Sequence, residues 1–363
     1  FEVHWSFRAI LKAGMHGMTN KFLKMLYIPT GTTMLNCACS DSPFKGYKAG
    51  TIITLPGSSA SGKTMLVFTM FAEICADSAF NSYKLIYDDA EESFSINIPL
   101  LFGDKVYNRV IPPKASCEKP IYSETIQDFK NNLLFILKQN KPFIYVLDSL
   151  DALSSESEMD REYKLAIRAA KDINQFKTIK GQQIADKARE IGKTLRIIRQ
   201  KLGKTKSLLI IIQQERANIG RGMFQPESIT SGGRAPFFYS SHQIWMKKVK
   251  GIRKENKKIG NRAKAMVLKN KIKGKERTVE FDIYNSYGID DLGSQIDFLV
   301  QENYWRKKQG KIEAKEFTMT ETKNRLIRHI EKEQLQGNLK QITGEAWKEI
   351  EGKLKLQRTQ KYD

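Results

Sequence analysis

Cysteine and histidine are scarce in this chain, with four of each in 363 residues, and neither type is clustered. Cys37, Cys39, Cys75 and Cys117 fit neither a disulfide framework nor a four-ligand zinc site, so reduced, mostly buried thiols are expected. His4, His16, His242 and His329 support no metal constellation. Long apolar runs are missing too: nothing approaches the roughly 18 residues of a membrane span, and no charged-then-apolar leader opens the chain. A soluble, cytoplasmic protein with no membrane partner is expected. No internal repeat is visible. Acidic residues do not balance the basic ones, 40 against 61, which leaves a net charge of +21. That excess points to a polyanionic partner, nucleic acid ahead of an acidic membrane surface. The hydrophobic fraction of 40% excludes a disordered chain. At this length it predicts a large core with a smaller appendage.

What the chain does contain is a phosphate loop. The apolar run Thr51-Ile52-Ile53-Thr54-Leu55 leads into Gly57-Ser58-Ser59-Ala60-Ser61-Gly62-Lys63-Thr64, and Met65 to Ala72 continues as a helix. In a strand–G-x-x-x-x-G-K-T–helix unit, glycines at the turn let successive N–H groups face an anion at a helix N-terminus. Lys63 would reach the β- and γ-phosphates of a nucleoside triphosphate, and Thr64 would offer its hydroxyl to Mg²⁺.

Further apolar runs end in polar residues. Lys84-Leu85-Ile86-Tyr87-Asp88 precedes Asp89-Ala90-Glu91. Glu91 fits two readings, activation of a water near the γ-phosphate or satisfaction of free N–H groups at a helix start. Phe143 to Leu147 ends in Asp148, the position of a carboxylate that holds a Mg²⁺-bound water beside the threonine. Ser207 to Ile212 ends in Gln213 and Gln214, amides that either sense a γ-phosphate or cap a helix. Two helices are predicted between them, over 124–138 and over 184–202. The second puts Ile184, Ala188, Ile191, Leu195, Ile198 and Leu202 on one face and Arg189, Lys193 and Arg196 on another. An amphipathic helix over 4–27 would pack on its own core or on a neighbouring copy. Residues 215–241 form a long Gly-rich loop carrying Arg216 and Arg234. From Lys247 to Arg277, fourteen Lys and Arg face two Glu, over half of the net excess. These charges decorate predicted strands, an arrangement suited to phosphate backbones. Helices over 320–335 and 342–354 close the chain.

Together these motifs resemble the RecA family of recombinases, in order from about Ile28 to about Val300. Ile28-Pro29-Thr30-Gly31-Thr32-Thr33-Met34-Leu35 is similar to its I-x-T-G-x-x-x-L segment, Asp89-Ala90-Glu91 to its D-A-E, and Asp148-Ser149-Leu150-Asp151-Ala152-Leu153 to its D-S-x-x-A-L. Gln213-Gln214-Glu215-Arg216 resembles N-Q-x-R, Gly232-Gly233-Arg234-Ala235-Pro236-Phe237-Phe238-Tyr239 resembles G-G-N-A-x-x-F-Y, and Val267-Leu268-Lys269-Asn270-Lys271-Ile272 resembles V-V-K-N-K-I.

The resemblance implies an α/β fold, a P-loop NTPase core with a central, mainly parallel sheet over 31–300; outside it, the residue pattern predicts an N-terminal helical oligomerisation segment over 1–30 and a small basic C-terminal α/β module over 301–363. The resemblance also implies Glu91 as catalytic carboxylate, Gln214 as γ-phosphate sensor, and Lys269 and Lys271 as charges reaching the ATP of an adjacent subunit. Phe238 would contact that subunit. Single-stranded DNA would meet loops at about 154–183 and 215–241, the second carrying Arg216, Gly232, Gly233 and Arg234, and Arg189 and Arg196 beside the first. A second DNA would meet Lys247, Lys248 and Lys264. The implied activity is ATP- and Mg²⁺-dependent filament formation and strand exchange. A ring-forming translocase and a weakly catalytic recombination mediator are the alternatives. Two departures stand out: Ser59 replaces a glutamate of the family's loop, and no adenine-stacking tyrosine stands near Ile98. The long basic first loop is similar to that of phage and prophage recombinases.

Overall fold

The structure is a computed structural model that describes residues 26–117, 119–160, 163, 180–217, 228–356 and 358. Of the stretch expected to be helical over 4–27, residues 4–25 lie outside the described residues, as do most of the first loop and residues 218–227 of the second, and Tyr27 is not helical but pairs as a short strand with Lys48.

In the centre of the fold, runs of Ile, Leu, Val and aromatic residues buried on both faces form strands rather than helices because each is only six or seven residues long and bounded by turn residues. The strands are β1 (Thr51–Gly57), β2 (Lys84–Asp89), β3 (Val110–Ile111), β4 (Phe143–Asp148), β5 (Leu208–Ala217), β6 (His242–Lys254), β7 (Lys257–Asn270), β8 (Arg277–Tyr284) and β9 (Gly288–Asp290). They lie in one sheet in the order β9-β8-β7-β6-β1-β5-β4-β2-β3, and Ser228–Thr230 pairs antiparallel with the end of β5. Every pairing from β6 to β3 is parallel, while β6 through β9 run antiparallel.

Alternation along the strands builds two cores. Ile53 and Leu55 of β1 face Leu66, Phe68 and Phe71 of helix α2 (Lys63–Ala76), which follows α1 (Thr33–Ser40). Ile52 belongs to the opposite face, with Tyr145, Leu209 and Ile211. Two short helices, α3 (Ile98–Phe102) and α4 (Asp104–Arg109), precede the helices that cover that face, α5 (Ile126–Lys138) and α6 (Lys180–Thr205). A capping box starts α5: Thr125 accepts from Asp128 N–H, and the Asp128 carboxylate accepts from Thr125 N–H. Each fully buried Ile or Leu here contributes about 1.5–3 kcal/mol. After α7 (Ala235–Tyr239), a third core joins α8 (Asp291–Gln301), a three-stranded antiparallel sheet (Arg306–Lys308, Lys311–Ala314, Met319–Glu321), α9 (Lys323–Lys332) and α10 (Gln336–Lys353). Ile296 and Leu299, which precede the expected boundary at 300, pack into this third core. The predicted C-terminal helices shift: Gln334, at φ +55°, breaks the chain between α9 and α10, so the last helix begins six residues early. Among the described residues no helix is long and apolar enough to cross a membrane.

The parallel block fixes the site. β1, β2, β4 and β5 all end at the same sheet edge, and the register sets Gly57 beside Gln214 and Asp89 beside Asp148. Four polar strand ends, far apart in sequence, therefore converge outside the carboxyl ends of the strands.

Candidate nucleotide and nucleic-acid sites

The phosphate loop joins β1 to α2. A Cβ on Gly57 would lie 2.2 Å from the Met246 carbonyl oxygen of β6, and Gly62 adopts φ +93°. Both positions therefore require glycine, one for close strand packing and one for the turn. Ser61 Oγ donates to Ser58 O at 2.7 Å, which closes the loop. Lys63 Nζ donates to the carbonyls of Gly57 (2.9 Å) and Ser58 (2.8 Å), so its charge is held over the loop. Burial lowers the Lys63 pKa, while Asp148 and then Glu91 oppose that shift. Thr64 Oγ1 and Tyr87 OH both donate to Asp148 Oδ2 at 2.8 Å. Burial raises the Asp148 pKa, and these two hydrogen bonds pull it back.

Glu91 stands in the same cleft. Its Oε1 accepts from Gln214 Nε2 at 2.6 Å and from Ser149 Oγ. Thr64, Glu91, Asp148 and Gln214 all line this cleft with Lys63, as do Ser59 and Ala60. Gln213 points the other way and donates to Ser231 O at 2.7 Å, tying β5 to the second loop. The predicted triphosphate residues are thus brought together by four strand ends.

The basic residues fall into separate groups. Arg189 and Arg196 on α6 line one groove with Arg234, Phe238 and Tyr239 of the α7 region. The α6 face opposite Ile191, Leu195 and Ile198 is exposed, and Arg189 contacts Asp186 at 3.4 Å. Gly232 packs under this groove: a Cβ there would lie 2.9 Å from Leu150 and 3.1 Å from Ile191. Gly233, at φ +65°, approaches Ala188. Lys247 and Lys248 extend from the exposed part of β6, and Lys264 lies opposite Lys247 on β7, 3.0 Å from Glu280. Lys269 and Lys271 do not line their own cleft. Both donate to the carbonyl of Phe238, at 3.2 and 3.3 Å, and Lys269 also donates to that of Phe237 and lies 4.4 Å above its ring. Phe238 itself is 64% exposed.

A family model described as RecA N-terminal domain matches residues 4–290. The chain belongs to the RecA family. "Protein RecA" of Chlamydia trachomatis serovar L2 is 30% identical over 301 residues, spanning 83% of this chain and 75% of the relative. "Protein RecA" of Nautilia profundicola is 27% identical over 302 residues, 80% of this chain and 77% of the relative. That of Sulfurimonas denitrificans is 28% identical over 280 residues, 76% and 70%.

The donor set of this RecA-family cleft fits a magnesium triphosphate. A buried carboxylate whose pKa burial raises lies within hydrogen-bond reach of the threonine hydroxyl at the loop's end, a hard-oxygen pair suited to a hard dication. Ile98 packs on the core instead of offering a stacking ring. Sequence reasoning missed three partners: Tyr87 and Ser149, which orient Asp148 and Glu91, and Asp151. Ser149 and Asp151 lie inside a motif read only for Asp148, and the contacts of Asp151 come from the neighbouring strand and from α6.

Proposed function

We propose that the protein is a DNA-stimulated ATPase that assembles on single-stranded DNA as a helical filament and promotes homologous pairing and strand exchange, in the cytoplasm of its host cell. The observation that carries this reading is the hydrogen bond from Gln214 Nε2 to Glu91 Oε1, because it joins the hydrolytic carboxylate to the strand that leads into a DNA-contacting loop. In this reading the loop N–H groups and Lys63 bind the β- and γ-phosphates. Glu91 orients and deprotonates the attacking water, and Ser149 holds that carboxylate in place. Thr64 and Asp148 would hold Mg²⁺, which neutralises charge on the phosphates. Gln214, given a γ-phosphate to bind, would leave Glu91 and draw β5 and Arg216 with it.

DNA would lie along Arg189, Arg196, Arg216 and Arg234 and the Gly232-Gly233 backbone, contacted through phosphates without sequence readout. A second duplex would meet Lys247, Lys248 and Lys264. Lys269 and Lys271 face away from their own cleft, which supports their action, with Phe238, on an adjacent subunit. The N-terminal segment would serve assembly, and residues 301–363 would form the separate C-terminal module. Electron microscopy with ATP and single-stranded DNA, combined with an ATPase assay, tests the proposal. Helical filaments with DNA-stimulated hydrolysis are expected. Closed rings would favour a translocase, and DNA binding without hydrolysis would favour a mediator.

A further inference from the structure

Asp151 follows β4 by three residues, and its side chain is 6% exposed. A carboxylate this buried must be balanced by partners. Its Oδ2 accepts the backbone N–H of Gln214 at 2.7 Å. Its Oδ1 lies 3.3 Å from Arg216 Nη2, yet no hydrogen bond is directed at that oxygen among the described residues. The pair is electrostatic and loosely held, and the arginine side chain remains 60% exposed. The backbone oxygen of Asp151 accepts from Lys187 Nζ on α6 at 3.3 Å. One residue thus touches the sensor strand, the arginine at the root of the second loop, and the basic helix.

We infer that Asp151 is a positioning residue that occupies Arg216 in place of a DNA phosphate and ties that occupancy to the placement of Gln214. This rests on the reading of the protein as a DNA-stimulated ATPase. A carboxylate and a phosphate diester compete for the same guanidinium. When a phosphate takes Arg216, Asp151 keeps its bond to the Gln214 N–H but loses its counter-charge. The altered balance at that carboxylate reaches the sensor through a single hydrogen bond. Arg216 and Gln214 lie two residues apart on one strand, so a pull on the first moves the second directly. DNA binding and γ-phosphate sensing then meet at one side chain.

Asp151→Asn separates the two contacts, because an amide oxygen still accepts from Gln214 N–H but no longer holds the guanidinium. Fluorescence anisotropy with an oligo-dT strand, without nucleotide, should show binding tightened roughly fivefold, the scale of one exposed ion pair. The slope of log affinity against log salt should steepen by about 0.7, one additional phosphate contact. The ratio of DNA-stimulated to DNA-free ATP turnover should fall at least threefold, and Asp151→Glu, which restores the charge, should return all three quantities towards wild type. Asp151→Ser repeats the measurement if the asparagine protein does not fold. A merely structural role would weaken DNA binding rather than tighten it. Wild-type affinity and slope in the charge-free variants, or an unchanged stimulation ratio, overturns the inference. If the wild type itself shows no DNA-stimulated hydrolysis, the functional reading fails and takes the inference with it.

Discussion

Lys63 illustrates how one side chain joins structure to chemistry. Its ammonium is held by the Gly57 and Ser58 carbonyls at the mouth of the loop, where a γ-phosphate would replace weak carbonyl partners with a full charge. Lys63→Ala should lower ATP turnover roughly 10²- to 10³-fold, the loss typical of a single charge-stabilising donor. A steady-state assay with residual turnover above a tenth of wild type would remove Lys63 from the reaction. Lys269 has a different sensitivity. Partial burial, and then the charge of Lys271, bring its pKa down to about 8. A lysine with a depressed pKa is charged below that value and neutral above it, so under the proposed action on a neighbour's ATP the cation would be lost as pH rises past about 8. The kcat/KM for ATP, which reports groups of the free enzyme, should decline over that range. In Lys269→Arg the decline should move to higher pH, because a guanidinium stays protonated. A pH profile identical in the two proteins would contradict the trans role. The loop, Asp148 and Glu91 were legible because each belongs to a short motif at the carboxyl end of a single strand. Tyr87, Ser149 and Asp151 were not, because their importance comes from cross-strand neighbours that no local pattern records.

The C-terminal helix α10 is fastened to the sheet by charge as well as by its apolar face. Glu351 accepts from Lys275 at 2.7 Å and from Arg277 through both oxygens, and Asp41 beside α1 takes a second contact from Lys275 at 3.1 Å. These hydrogen bonds, those from Arg277 first, pull the Glu351 pKa down to about 2. A carboxylate whose folded pKa is depressed adds stability above its unfolded value, near 4.3, and loses it as pH falls towards the folded value. Unfolding midpoints in urea should therefore drop between about pH 4.5 and 2. Glu351→Gln should flatten that part of the profile and cost on the order of 1–2 kcal/mol near neutral pH, limited by solvent around the two cations. A variant with the wild-type midpoint and the same acid limb would show that the network is idle. Helix α10 was legible in the sequence, whereas its fastening was not. The partners lie 74 and more residues apart, so only the folded chain brings them together.

The charge of +21 is distributed unevenly, and its distribution decides what it can do. The exposed ends of β6 and β7 form a hairpin with Lys247, Lys248, Lys250, Arg253, Lys257 and Lys258 on or near its surface. Lys258 lies close enough to Lys248 that the like charge lowers its pKa. Such crowding is unfavourable in the free protein and is relieved when a polyanion arrives, so the hairpin favours binding over passive solvation. The three lysines expected to meet a second DNA are not equivalent. Lys264 is already 3.0 Å from Glu280, while among the described residues Lys247 and Lys248 have no such acidic partner, and both are exposed. Replacing Lys247 and Lys248 together by glutamine should reduce the magnitude of the salt slope for duplex binding by about 1.8, two phosphate contacts at 0.9 each. Lys264→Gln should change it by less than half a unit, because the glutamate already takes up that charge. Equal effects at Lys264 and at Lys247 would mean that the ion pair opens on binding, and a slope unchanged in the double variant would place the duplex elsewhere on the molecule.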